Sequence, residues 1–444
     1  MAALDTSIYE QFLVVTPEGK DADISAGVIS FSYFENLLSP YLTARAVVTT
    51  TGNAIENDEG VLTGIYNGLP LRGGEKVIIK IAGNSETNNG LDFAEEEERH
   101  FYVASITNVI LEAQSETFTL NLVSREALSN ETSRVGKKFP SSQKISDSVK
   151  DILKNYLKSP DKINKIDETQ NPYGFIGNMK KPFNVITWLA GKSVSAKMKK
   201  DATAGYLFFE TQDGFNFRAI DTLITDEPYE NDYTYAPGIV SKDDPNKDFK
   251  ILEYSTNFNQ DLIGKLERGA YASVRYYINP VSFKPNYNRV FKAGDYVNTT
   301  PTLGDKLIKF FKFGKKEQKD IGDLPSRIFT AMLDIGTIER DADDKGWDDA
   351  ATRNADPAKI HAQSMMRYNQ LFHTQVIDTL IPLNTNIVAG TIMRFEFPRI
   401  DKEKRKEPDP EQSGLYMVKE LCHYFDGSGS YTKLKLVRDT FGRK

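Results

Sequence analysis

The chain has 444 residues, too many for one ordinary core, so its length alone points to roughly three or four domains. Its 56 basic and 62 acidic side chains leave a formal charge of −6, which excludes generic nucleic-acid binding by phosphate neutralisation. One cysteine, Cys422, excludes an internal disulfide framework, and no run approaches the ~20 apolar residues of a membrane-spanning helix. The opening Met1-Ala2-Ala3-Leu4-Asp5-Thr6 has neither a basic region nor an apolar core, so no secretory leader is expected. With 26 Phe and 21 Tyr against 2 Trp, the aromatic content leans toward strands.

Residues 1–125 read as strands and turns. Gln11–Val15 runs into a turn at Thr16-Pro17-Glu18-Gly19, and Val28–Glu35 mixes alternation with aromatics. Tyr41–Thr50 is β-branched and strand-like, and the Glu95-Glu96-Glu97-Glu98 run reads as a solvated loop. From residue 126 the period changes. Ile145, Val149, Ile152, Leu153, Tyr156 and Leu157 fall at helical spacing within Ser142–Lys158, with Ser142 or Ser146 as candidate N-cap and Ser159-Pro160 as the stop. A second helix is expected over Phe183–Ala196 behind Pro182, followed by a hairpin from Tyr206 to Arg218 turning at Asp213-Gly214. Residues 126–235 are therefore expected to form a small α+β domain interrupting the β pattern.

Strand character returns over Phe249–Asn259 and Gly269–Ile278, so residues 236–280 read as the first strands of a second β unit. Residues 281–345 read as an insertion, carrying the basic stretch Lys306–Lys319 and a strand-like group near Ile328–Ile338. The acidic Asp341–Asp356 reads as a linker, and His361–Pro382 as a start of helix that turns strand-like over Leu371–Ile381. Residues 346–444 complete the second unit.

A weak repeat ties the two ends together. Gly73-Gly74-Glu75-Lys76-Val77-Ile78-Ile79-Lys80-Ile81, Phe101-Tyr102-Val103 and Leu120-Asn121-Leu122-Val123 match a second series. That series is Ala389-Gly390-Thr391-Ile392-Met393-Arg394-Phe395-Glu396-Phe397, Tyr416-Met417-Val418 and Leu434-Lys435-Leu436-Val437. From Gly74 to Phe101 is 27 positions and from Gly390 to Tyr416 is 26. Such spacing is what a duplicated β-barrel leaves behind. Two barrels per chain turn threefold symmetry into near-sixfold symmetry.

Sites of chemistry are hard to find. The chain has no Walker loop and no Rossmann fingerprint between a strand and a helix. The segment Asp341-Ala342-Asp343-Asp344-Lys345-Gly346 fails as a calcium loop, because Lys345 and Thr352 stand where oxygen ligands belong. His100, His361, His373 and His423 form no zinc spacing, and Cys422-His423 sit on opposite faces of one strand. Cys422 reads as a buried free thiol, and Gly427-Ser428-Gly429-Ser430 as a hairpin turn rather than a nucleophile elbow. Carboxylates are plentiful, yet nothing singles out a glycosidase pair. No catalytic, cofactor-binding or metal residue is assigned.

Three segments carry a resemblance. Ile29–Ala44, Pro182–Ala190 leading into the Phe208–Phe217 hairpin, and Gly414–Val418 through Tyr431 and Leu434–Asp439 stand in an order that resembles the baseplate central hub proteins of contractile-tailed bacteriophages. That family is related to the spike hubs of type VI secretion systems. The resemblance covers most of the chain and is weakest over 281–345. It implies a mainly β fold with an α+β insert, holding two tail-tube-like β-barrels. Three chains would form a pseudo-sixfold ring between a hexameric tail tube, or tube initiator, and a trimeric central spike. It further implies contacts with neighbouring baseplate proteins, a channel through which DNA passes, and residence in the virion after assembly in the host cytoplasm. No enzyme activity, cofactor, specific nucleic-acid binding or stable membrane binding is implied. Two other readings compete: a tail-associated cell-wall hydrolase, and a glycan- or receptor-binding β protein.

Overall fold

The computed structural model describes residues 4–443 apart from 53–54, 57–59, 70, 86–87, 198–202, 236–243, 279–284, 295–299, 307–311, 314–318, 333–356 and 400–406. The failed calcium segment, the acidic linker and most of the basic stretch lie outside the described residues.

One 15-stranded sheet dominates. Its strands alternate as half-buried strands must: Phe31, Tyr33 and Glu35 face inward from Val28–Asn36, while Ser30, Ser32 and Phe34 face outward. Inward side chains from both ends of the chain, such as Phe12, Ile79 and Leu120 with Ile377, Phe395 and Leu436, share one core. The mainly β expectation holds. The two separate closed barrels do not appear, because Val28–Asn36 pairs along its free edge with Gly414–Asp426 and fuses both units into one sheet.

The repeat is visible in the hydrogen bonds. Gly74 N donates to Val103 O at 2.7 Å, and Gly390 N donates to Val418 O at 2.8 Å. Val103 N returns a bond to Glu75 O at 2.9 Å, and Val418 N to Thr391 O at 2.9 Å. Both glycines hold the left-handed backbone, with φ of 93° and 94°. Val103 faces Leu122 as Val418 faces Leu436, and the ladder then skips one residue in each half, Ala104 in the first and Lys419 in the second. Five strands correspond: Val28–Asn36, Thr43–Thr51, Lys76–Ser85, Phe101–Leu111 and Ser115–Ser124 match Glu253–Asn259, Gln375–Pro382, Ile392–Glu396, Gly414–Asp426 and Gly429–Arg438. Alanine at either glycine is expected to cost about 1–2 kcal/mol, since a Cβ is strained at this backbone conformation. The losses should be similar, because a Cβ at Gly390 makes only ordinary contacts with Leu223, Leu37 and Phe209 at 3.4–3.5 Å and one at Gly74 faces open space, so the backbone strain alone acts in both. Urea unfolding of G74A and G390A checks this, and no loss in either would remove the glycine equivalence.

The halves differ in what joins their first two strands. Asn36 reaches Thr43 through a short turn, whereas Asn259 reaches Gln375 only after a long excursion. That excursion includes a three-stranded sheet in which Ala272–Ile278 pairs with Pro285–Lys292 and Arg327–Met332. Ala272–Ile278, read from sequence with the second β unit, is thus bonded into the insertion. The helix before the return strand spans Pro357–His373, so Leu371 to His373 are helical and the strand begins at Gln375.

The middle of the chain has its own core around Ile145, Val149, Ile186, Leu189, Tyr206, Phe215 and Phe217. Its first helix, Ile145–Asn155, has Lys144 at the N-cap, and neither Ser142 nor Ser146 caps it. Instead Ser146 N donates to Thr169 Oγ1 at 3.0 Å, a cap supplied by a distant segment. The second helix, Pro182–Ala190, is shorter than expected and has Pro182 in its first turn, with Phe183 N bonded to Asn130 Oδ1 at 2.9 Å. Both strands of the hairpin, Tyr206–Thr211 and Gly214–Ala219, are buried throughout. Tyr206 and Phe208 face the local core, and Leu207 and Phe209 face a second one shared with Leu37, Leu371, Met417 and Val437. This hairpin mortises the middle unit into the large sheet.

Candidate functional surface

The candidate motifs that fall among the described residues resolve into structure. His423 is fully buried, bonded through Nδ1 to Thr432 Oγ1 at 2.9 Å and stacked on Tyr33 at 5.9 Å, and burial pushes its pKa down to about 3. Cys422 faces the other side of the sheet, as strand alternation requires. It is a free thiol but only half-buried, and burial still raises its pKa to about 11. His361 lies against Arg275 at 2.9 Å, on the same helix as His373 but 12 positions before it. Ser428 bonds Asp426 in the tight turn between two strands. Among the described residues no cluster of three or more His, Cys, Asp or Glu has a metal-holding arrangement, and no helix is long and apolar enough to cross a membrane.

What the fold does build is a set of buried charges at the joints between its parts. Lys162 Nζ lies 2.7 Å from Glu126 Oε2 and 2.6 Å from Glu210 Oε1, with all three side chains sealed from water. Glu126 also accepts from Ser159 Oγ at 2.6 Å, and Glu210 from Ser124 Oγ at 2.7 Å and Leu42 N at 3.1 Å. The triad therefore pins the buried hairpin to the ends of the Thr43–Thr51 and Ser115–Ser124 strands. Burial drives the Glu126 carboxyl up, but Lys162 outweighs it and holds the group below the usual carboxylate range, while Glu210 stays above it. A carboxylate pair is thus brought together here, but a glycoside could not reach it.

A second joint lies where Arg367, almost fully buried, bridges Asp221 Oδ1 at 2.9 Å and Asp439 Oδ2 at 3.0 Å. It also donates to Pro301 O at 2.7 Å. The third joint is Glu35, on the strand that fuses the halves. Its carboxylate accepts from Tyr33 Oη, Gln212 N and Ala389 N, each at 2.7 Å. One side chain thereby holds the hairpin tip and the turn before Gly390. None of these joints was legible as a site from the sequence. The only signal is an acid at an inward position of an apolar strand, as in Phe31-Ser32-Tyr33-Phe34-Glu35.

Burial pushes the Glu35 carboxyl up from 4.5 to about 7. The folded chain therefore holds a proton between those values that the unfolded chain releases. Stability falls as pH rises through that window, by about 3 kcal/mol in all. In E35Q that slope is expected to vanish, whatever the constant offset between the proteins. Urea midpoints from pH 4.5 to 8 check it, and equal slopes in both proteins would contradict it.

The outward side of the second half is an open trough of about 450 Å³. Glu253, Asp378 and Glu420 alternate along it with Lys433 and Lys435, beside Phe34 and Cys422. Its charge is close to balanced rather than strongly acidic or basic.

No protein-family model and no curated protein sequence matches the chain. Solved structures do. A tail protein from Neisseria meningitidis MC58 aligns over 97% of this chain and 96% of its own, at 10% identity and a TM-score of 0.53. The chain has the fold of a tail protein. A 43 kDa tail protein of prophage MuSo2 from Shewanella oneidensis aligns over 98% and 100% at 10% identity, with a TM-score of 0.49. An E. coli type VI secretion component, described as similar to T4 tail proteins gp27 and gp5, aligns over 94% and 76% at 9% identity, with a TM-score of 0.41. The fold shared with the Neisseria tail protein is in keeping with the phage tail group that the sequence resemblance named.

Proposed function

We propose that this chain is a structural hub of a contractile phage tail. Three copies form a ring between the hexameric tail tube, or its initiator, and a trimeric central spike. The observation that carries this reading is the duplication: five strands with the same ladder, the same skipped residue and the same left-handed glycine occur twice and are joined edge to edge. A ring of three such chains presents six nearly equivalent halves, so the change from six subunits to three takes place inside each covalent chain.

On this reading the protein is not an enzyme, and it acts by position, with contacts to neighbouring baseplate proteins. It is a virion component assembled in the host cytoplasm, and the DNA it passes is not recognised by sequence. The near-balanced trough suits a channel wall that neither grips nor repels a polyanion strongly. On this reading the strands up to Ser124 are one half, the small middle unit is its attachment, and the excursion after Asn259 is an insertion into the other half.

The solution mass of the purified protein, alone and with a candidate spike, tests the assignment. A species near three times 50.0 kDa, or a three-to-three complex, is expected. A chain that remains monomeric with its spike would contradict it.

A further inference from the structure

The fused edge inside the chain has an unmatched counterpart. Gly414–Asp426 uses residues 420–426 to pair with Val28–Asn36 of the first half. Its equivalent in the first half, Phe101–Leu111, has no partner on that edge beyond Val103 among the described residues. The equivalent of Val28–Asn36 in the second half is Glu253–Asn259, which among the described residues pairs only with Gln375–Pro382. Each chain thus presents one free edge of each kind. We propose that these two edges pair between copies: Ser105–Leu111 of one chain adds antiparallel to Glu253–Asn259 of the next. The proposal rests on the ring reading above and specifies its contact.

The internal junction sets the register. Thr107 faces Thr119 as Cys422 faces Lys433, and Ile110 faces Thr117 as Tyr424 faces Tyr431. Phe258 faces Val376 as Phe34 faces Thr43, and Ser255 faces Asp378 as Ser32 faces Arg45. Within the chain Cys422 pairs with Phe34 and Tyr424 with Ser32. Between chains this places Thr107 opposite Phe258 and Ile110 opposite Ser255.

Two observations favour the match. Relative to the internal junction, each free edge carries one extra residue, and both extras fall at the same step: 108–109 stand where the second half has only His423, and 256–257 where the first has only Tyr33. Opposed bulges cancel and leave an unbroken ladder. The Phe101–Leu111 edge also exposes Ile110 and Leu111 at 56% each, an apolar edge strand of the kind that recruits another strand. Each added junction leaves the next chain's edge free, so the contact is head-to-tail and propagates until the ring closes.

Disulfide trapping tests the register, because directly opposed residues on paired strands lie within disulfide reach. In a Cys422→Ser background, Ile110→Cys with Ser255→Cys is expected to give linked products at two and three chain masses on mild oxidation. The off-register pair Ser105→Cys with Ser255→Cys, and each single cysteine, should give none. I110K, at an exposed position, should keep the fold and lose the oligomer. A native trimer in which the 110/255 pair does not link, or links no more than the off-register pair, overturns the edge contact and leaves the ring standing. Linked products running well beyond three chains support the contact and overturn the threefold ring. A chain monomeric at every concentration, with its spike as well as alone, overturns both.

Discussion

Arg367→Met is expected to destabilise the protein by about 3–5 kcal/mol, the cost of leaving buried charges without their counter-ion. The guanidinium sits between Asp221 and Asp439, each 1% exposed at the side chain, so bulk solvent does not reach the two carboxylates. Asp221 is further fixed by Thr203, whose N and Oγ1 lie 3.0 and 2.6 Å away, and Asp439 by Leu303 N at 3.0 Å. Three parts of the chain meet at this point: the Pro357–His373 helix, the short helix Ile220–Ile224 of the middle unit, and the segment after the last strand. The variant should therefore loosen the helix and the C-terminal segment first. Limited proteolysis with urea unfolding reads both effects. A loss below about 1 kcal/mol would mean the two aspartates can reach solvent, contrary to the burial described.

Lys162→Met should cost a similar ~3–5 kcal/mol at neutral pH, and here the pH dependence identifies the cause. Without the ammonium, Arg125 still lies 3.0 Å from Glu126, but Glu210 keeps only its bonds from Ser124 and Leu42 N against full burial, so the folded Glu210 carboxyl holds a proton at pH values where the unfolded one has released it. Stability is then lost as pH rises above the ordinary carboxylate range and partly recovered as it falls. The gap between variant and wild type should thus narrow from pH 7 toward pH 4.5. A gap that stays constant would point to lost packing against Phe215, over whose ring Lys162 also lies at 5.8 Å, rather than to the stranded carboxylate.

The contrast between what the sequence displayed and what it hid has a physical basis. Gly74 and Gly390 were visible because a left-handed turn requires glycine and the strands after it carry matching apolar residues. The hairpin from Tyr206 was visible because a long aromatic run broken by Asp213-Gly214 has few other readings. The fusion of the halves was not, because pairing between Val28–Asn36 and Gly414–Asp426 spans nearly the whole chain and either strand would read the same as a free edge. The cap of the first helix was misplaced, and the start of the second, though expected behind Pro182, is held in a way no local signal shows, for a related reason. Thr169 and Asn130 cap from other segments, so no local signal exists. Ala272–Ile278 has ordinary strand character, and only its partners assign it to the insertion.

Images of the assembled protein down its ring axis would test the central claim most directly. The account predicts six lobes of similar size around a channel, alternating in their peripheral mass so that the true symmetry is threefold. The alternation arises because only the second half carries the long excursion between its first two strands. Three lobes without a sixfold interior, or an assembly with no ring, would contradict it.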